Sequence, residues 1–403
     1  MNIANLADLH LNCSQYGEDN TTGRSWRADD FKFACAKTVD HIIENNKPDM
    51  VFIIGDSFDH PLPDNRSRGF FSAQIEKLVR AGAEVHILVG NHESNSSGHA
   101  LLDLEELKKP NTFIYYSAQV FEKNGVLFLI YPQTSEVEAK IKSMRGAYLD
   151  FINENRKRIS EAKKKGLPVV LYAHTGIIGA YMNDGAVNKG ADGITVEDLS
   201  LSDADWIFLG DYHGHQKLKV KGAKGAYYIG SLERTNIKDL SSTKGYMVYD
   251  TEKDKATFVS TNEFVRPMID IEDGIDLVKK ADLLKEGARG AIIRLSYKGT
   301  KKDFESVHQQ LLDIKRDLEK NYGAKHVYTK TEAHDQDQEE KANKIVEEIE
   351  KMGCSIEEKD IENIVRINVE KSDYDEAEQK ALMELASDVI STVNKKNRNG
   401  DEK

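Results

Sequence analysis

The chain has 403 residues, of which 39% are hydrophobic and 31% charged, and its formal net charge is −12. That length holds one large α/β domain with one or two smaller units, and the composition supports both a packed core and a well-solvated surface. No apolar run reaches the roughly 18 residues of a membrane-spanning helix, the first ten residues lack the basic start of a signal peptide, and the acidic balance argues against holding duplex DNA unaided. Cys13, Cys35 and Cys354 are odd in number and scattered. They read as reduced thiols of a cytoplasmic protein, with no disulfide framework and no zinc knuckle.

Taken in chain order, Ile3–Ala7 is a strand, and Ala28–Asn46 places Phe31, Cys35, Val39 and Ile42 at helical spacing. Met50–Ile54 is a buried strand, Phe70–Ala81 a helix and Glu84–Val89 a strand. Val126–Tyr131 and Pro168–Ala173 are strands bracketing a helical stretch over about Ser135–Lys165. Trp206–Leu209, Ala226–Ile229, Tyr246–Tyr249 and Ala256–Ser260 complete the strands of the first part. Strands alternating with helices, then strands close together, predict an α/β fold of mixed sheets layered with helices.

Near Pro267 the pattern changes. Met268–Ile271, Gly290–Tyr297 and His326–Thr331 are strands around a polar-faced helix, Phe304–Leu318, which makes a small separate α/β unit. Beyond Glu332 the chain is rich in Glu and Lys. Gln338–Met352 lines up Ala342, Ile345, Ile349 and Met352, and Tyr374–Val393 lines up Ala381, Leu385 and Val393, as two amphipathic helices before a polar tail. The expected organisation is therefore a first domain over 1–264, a small one over 265–331 and a helical segment over 332–403.

Each early strand runs into metal-ligand chemistry. Ile3–Ala7 leads to Asp8-Leu9-His10, and Met50–Ile54 to Gly55-Asp56-Ser57-Phe58-Asp59-His60. Glu84–Val89 leads to Gly90-Asn91-His92-Glu93, Pro168–Ala173 to His174, and Trp206–Leu209 to Gly210-Asp211-Tyr212-His213. The carboxyl ends of strands in a layered α/β domain form one crevice, and glycines let the backbone turn sharply there. A His/Asp/Asn set without cysteine suits two divalent ions such as manganese, iron or zinc. Two such ions can clamp a phosphate and activate a water. Any single motif here also occurs as an ordinary turn; five in order at strand ends do not read that way.

That series resembles the calcineurin-like metallophosphoesterase superfamily, whose pattern is Asp-x-His, Gly-Asp, Gly-Asn-His, a lone His and Gly-His-x-His. Within it the chain is similar to the SbcD and Mre-type DNA repair nucleases. Gly55–Pro61 resembles that branch's second motif, and Gly230-Ser231-Leu232-Glu233-Arg234 its Gly-Ser-x-x-Arg element. The resemblance implies a layered metallophosphoesterase fold with a small capping domain and a helical C-terminal segment. It implies Asp8, His10 and His213 on one metal, Asn91, His174 and Asp211 on the other, and Asp56 bridging both. The metals would be manganese, with magnesium a poor substitute. His92 would be the general acid at the leaving oxygen. His60 and Arg234 would contact substrate, with His99 a further candidate; His60 and His99 also read as ordinary helix-start or loop histidines.

The family usually has histidine where Asp211 stands, which makes the second site unusual; His215 could turn in instead, or face solvent. The implied partners are DNA and an SbcC-type coiled-coil ABC ATPase, docked by the helical tail or with those helices packed on the cap. A homodimer through the nuclease domain and the absence of membrane association are also implied. Two other readings stay open: a phosphoesterase of small esters or phosphoproteins, and a scaffold that has lost catalysis.

Overall fold

The computed structural model describes residues 1–19, 24–95, 98–101, 110–133, 143–183, 185–190, 193–272 and 287–334. The helices expected at Gln338–Met352 and Tyr374–Val393 lie outside the described residues. The described residues fall into two compact units: one within Met1–Ile269 and Gly290–Ile292, the other within Asp270–Arg289 and Ile293–His334.

The first unit is built on two six-stranded mixed sheets. One contains β1 (Asn2–Ala7), β2 (Met50–Ile54), β3 (Glu84–Leu88) and β4 (Thr112–Tyr115). The other contains β5 (Gln119–Lys123), β6 (Val126–Tyr131), β7 (Val169–His174), β8 (Trp206–Gly210), β9 (Gln216–Leu218) and β10 (Gly225–Tyr228). The chain then returns to the first sheet with β11 (Gly245–Asp250) and β12 (Lys255–Ser260). The strand orders are β12-β11-β1-β2-β3-β4 and β9-β10-β8-β7-β6-β5. β1 to β4 run parallel, as do β6, β7, β8 and β10.

Parallel strands covered on both faces are continuous apolar runs, and β2, Met-Val-Phe-Ile-Ile, is buried at every position. Phe52, Phe128, Tyr172, Phe208 and Tyr249 meet between the two sheets, with the Phe52 and Tyr172 ring centroids 3.8 Å apart. On the outer face of the first sheet lie α1 (Trp26–Asn46) and α2 (Asn65–Arg80), packed through Phe31, Val39, Phe71 and Ile75. On the outer face of the second lie α3 (Met144–Lys164) and α4 (Val196–Ser200), packed through Tyr148, Ile152 and Leu199. The result is a helix–sheet–sheet–helix layering.

The second unit has a three-stranded sheet, β13 (Met268–Glu272), β14 (Ile292–Thr300) and β15 (His326–His334), in that order, with α5 (Lys301–Lys320). Ile293, Leu295, Leu311, Leu318 and Val327 are among its buried apolar residues. No helix among the described residues is long and apolar enough to cross a membrane.

The expected strands are present. Among the described strands longer than two residues, three more, β4, β5 and β9, carry too few buried positions to show in the sequence: β5 buries none of its five residues fully. α2 starts at Asn65, ahead of the expected Phe70, because the Asp64 side chain caps it by accepting from the Ser67 N–H at 2.6 Å.

Candidate dimetal centre

The two sheets bring their carboxyl-terminal strand ends to one place. His174 at the end of β7 donates from Nδ1 to the Ile54 carbonyl at the end of β2, over 2.8 Å. The strand ends fit so closely that only glycine is tolerated at the turns. A Cβ on Gly55 would sit 2.0 Å from His174 Nδ1, and one on Gly90 would sit 2.1 Å from Asp56 Oδ1. Gly55 also has φ +74°, where a side chain is strained in any case. Gly55→Ala is therefore expected to lower stability by about 1–3 kcal/mol through overpacking against His174. Urea denaturation of the metal-free protein checks this; an unchanged midpoint would mean that the loop has room to spare.

Four non-glycine residues at these ends also take left-handed backbone: Asp8 (φ +52°), His10 (+42°), Asp56 (+48°) and Asp211 (+103°). Such conformations persist only where surrounding bonds hold them. Here the Asp8 and His10 N–H groups donate to the carbonyls of Gly55 (3.2 Å) and Asp56 (2.9 Å), and Asp59 N–H returns to the Leu11 carbonyl (3.0 Å). The buried Glu93 carboxylate ties the next loop in, accepting from the N–H groups of Ser57 (2.6 Å) and Gly90 (2.8 Å). Burial pushes the Glu93 carboxyl up to about 7.

The donor atoms then converge. His10 Nδ1 faces Asp59 Oδ1 at 3.1 Å, and His213 Nδ1 faces Thr235 Oγ1 at 2.9 Å. With both Nδ1 atoms acting as donors, each neutral ring carries its lone pair at Nε2. These two Nε2 atoms lie 2.9 Å from each other. Two acceptors at that distance repel unless a cation joins them, and two ligand atoms of one octahedral ion with bonds of about 2.1 Å are about 3 Å apart. His174 repeats the pattern: its Nδ1 is taken by Ile54, and its Nε2 faces Asn91 Oδ1 at 3.0 Å and Asp56 Oδ2 at 3.4 Å. Asp8 Oδ2 is buried with no hydrogen-bond partner. Among the described residues, Asp8, Asp56 and His174 form one potential metal-holding group and His10, Asp59 and His92 another.

The charge balance points the same way. Burial pushes Asp8 up to about 6, against the pull of His174. Asp56 is buried too, but His174 and His10 hold it below the usual carboxylate range. Burial would discharge His174, yet Asp56 and Asp8 outweigh it and hold its pKa well above the ordinary value. Buried carboxylates that draw in positive charge are what a cation site requires.

The structure thus gathers Asp8, His10, Asp56, Asn91, His92, His174 and His213. The Asp211 N–H donates to Asp8 Oδ1 at 2.9 Å, and its carboxylate is raised by burial. Asp211 and Asn91 line a cleft of 740 Å³ with Gly176, Gly193, Asn188 and Tyr212. His92 donates from Nδ1 to the Asp59 carbonyl at 2.9 Å and presents Nε2 4.0 Å from Asp56 Oδ2, its side chain 41% exposed. His60 is exposed, with Nε2 3.4 Å from Asp59 Oδ2. Arg234 is half-buried, directing Nη1 to the Arg266 carbonyl at 3.4 Å. The side chain of His99 lies outside what is described.

His215 neither joins the site nor faces solvent. It stacks on Phe258 with centroids 3.8 Å apart and donates from Nδ1 to the Tyr228 carbonyl. The residues that sequence reasoning missed are Asp59, Glu93, Thr235 and Asp239. Two of them stand inside motifs already quoted, beside His60 and His92, which is the only signal they gave.

The calcineurin-like phosphoesterase family matches residues 1–215. One subunit of the nuclease SbcCD of Staphylococcus epidermidis is 24% identical over 288 residues, 68% of this chain and 71% of that protein. "Exonuclease subunit 1" of Enterobacteria phage T4 is 24% identical over 269 residues, 65% of this chain and 68% of that protein. "DNA double-strand break repair protein Mre11" of Nanoarchaeum equitans is 22% identical over 289 residues, 68% of this chain and 73% of that protein. Among solved structures, a dimetal phosphatase from Danio rerio is 12% identical with a TM-score of 0.41, covering 64% of this chain and 95% of that one.

Proposed function

This chain belongs to the calcineurin-like phosphoesterases, and on that premise we propose that it is the nuclease subunit of an SbcCD- or Mre-type DNA repair assembly, cutting DNA phosphodiesters. The observation that carries the phosphoesterase chemistry is the pair of Nε2 atoms of His10 and His213, 2.9 Å apart above the buried carboxylates. A nucleic acid as the substrate is supported by the nuclease and exonuclease relatives, and DNA in particular by the double-strand break repair protein.

In this assignment Asp8, His10 and His213 would hold one ion, Asn91, His174 and Asp211 the other, and Asp56 would serve both. Two bound divalent ions, manganese in this reading, would supply charge neutralisation at the phosphoryl group and a nucleophilic water near neutral pH. The chain's own residues do the rest. Ile54, Asp59 and Thr235 fix the tautomers of His174, His10 and His213, so that each presents Nε2. The crossed loops hold those side chains rigid before substrate arrives. His92, outside the ligand set, protonates the leaving oxygen. Asp211 adds a negative oxygen donor where the family usually has a neutral histidine, which suits a harder ion.

The net charge of −12 leaves the chain poorly equipped to hold a long duplex alone. A coiled-coil ATPase partner would supply that basic surface, docked by the segment over 332–403. A homodimer through the nuclease unit is part of the same reading.

Labelled duplex and single-stranded DNA, incubated with manganese, magnesium or EDTA, test the proposal. Cleavage is expected with manganese, weakly with magnesium, and not in EDTA. Cleavage in EDTA would overturn the two-metal reading. Hydrolysis of a small phosphate ester with no DNA cleavage, with or without a cognate ATPase, would instead assign a different phosphoesterase.

A further inference from the structure

Behind His213 lies a buried chain of polar groups. Its ring Nδ1 is 2.9 Å from Thr235 Oγ1, and Thr235 Oγ1 is 2.9 Å from Asp239 Oδ2. The Thr235 N–H also donates to Asp239 Oδ2 at 2.9 Å. Lys244 Nζ stands 3.6 Å from the same oxygen and donates to the His213 carbonyl and to Ser231 Oγ, each at 2.9 Å. Thr235, Asp239, Lys244 and Ser231 are all buried, Lys244 completely.

The direction of this chain is forced. Two donors from Thr235 and the ammonium of Lys244 converge on Asp239 Oδ2, so that oxygen can only accept. The single hydroxyl proton of Thr235 is then committed to Asp239. Its oxygen lone pair is left for His213, whose Nδ1 must carry the proton. A histidine with Nδ1–H presents its lone pair at Nε2, the atom that faces His10 Nε2.

We propose that Thr235, Asp239 and Lys244 form a positioning relay that locks His213 in its metal-binding tautomer, with Lys244 cancelling the charge that Asp239 would otherwise leave buried. The relay rests on the reading of His213 as a ligand. None of the three residues touches a reacting atom, so their effect is on metal affinity at the His213 site, and the site containing His174 is unaffected. Polar partners behind a metal-binding histidine change affinity by about 10–100-fold.

Asp239→Asn is the informative change. An asparagine amide can donate to Thr235 Oγ1, which frees the hydroxyl proton to point at His213 Nδ1 and moves the ring proton to Nε2. Manganese alone, titrated into the full-length metal-free protein and followed by the spin resonance of unbound Mn²⁺, reports both sites separately. Asp239→Asn and Thr235→Val are expected to weaken one site by about 10–100-fold and leave the other as in the wild type. Thr235→Ser, which keeps the hydroxyl, is expected to restore the affinity lost in Thr235→Val. Thermal melting of each metal-free variant separates folding from binding, and the Thr235 pair carries the test if Asp239→Asn does not fold. Wild-type affinity in Thr235→Val, or failure of Thr235→Ser to restore it, overturns the relay. His213→Ala distinguishes the two layers of the argument. If it too binds both ions normally, the ligand assignment fails; if it loses one ion while Thr235→Val loses none, only the relay fails.

Discussion

Asp56→Ala is expected to abolish manganese-dependent DNA cleavage and to reduce bound metal from two ions to one or none. Asp56 is the residue on which the site closes. Its Oδ2 lies 3.4 Å from His174 Nε2, 3.9 Å from His10 Nε2 and 4.0 Å from His92 Nε2. No other carboxylate among the described residues is that close to all three rings. Removing a single preorganised electrostatic contact costs about 10²–10³ in rate, so loss of a ligand shared by both ions should exceed about 10³-fold. Asp56→Asn is the companion variant. Its amide oxygen can keep the acceptor that Asp56 Oδ1 offers to the His92 N–H at 3.1 Å, so the loop is preserved while the charge is lost. Metal content by elemental analysis, beside the rate on labelled duplex, reads both effects. Full activity in Asp56→Asn with two ions bound would remove Asp56 from the bridging role.

What the sequence made legible follows from where information is local. The ligand-bearing turns could be read because each follows a short apolar run of a strand buried on both faces, as at Met50–Ile54 before Gly55-Asp56. The supporting residues could not. Asp239 acts on His213 from 26 residues away, and Glu93 joins two loops through backbone donors, which no spacing rule announces. The edge strands β4 and β5 stayed hidden for a related reason. Each has partners on one side only, so its side chains alternate weakly and read as polar loop. His215 shows the opposite error. Its place beside Gly210–His213 suggested either a spare ligand or a loop histidine, but Phe258 on a strand 43 residues later supplies an aromatic face for it to stack on. Asp211 is intermediate. Its position at the end of β8 was readable; its left-handed φ and the bond from its N–H to Asp8 Oδ1 were not.

His92→Ala separates chemistry from metal binding. His92 is the one histidine of the gathered set with a substantially exposed side chain, 41%, and its Nδ1 is occupied by the Asp59 carbonyl at 2.9 Å. That leaves Nε2 to face the space above Asp56, where a leaving oxygen can receive a proton. The backbone N–H that donates to Asp56 Oδ1 survives in alanine, so the metal-binding loop should keep its shape. The expected result is unchanged manganese stoichiometry with cleavage of DNA slowed by about 10²–10⁴-fold, the usual contribution of a positioned acid. An ester with a p-nitrophenolate leaving group needs little protonation, so its hydrolysis should fall far less in the same variant. An equal loss on both substrates would exclude the acid role, and a loss of bound metal would place His92 among the ligands.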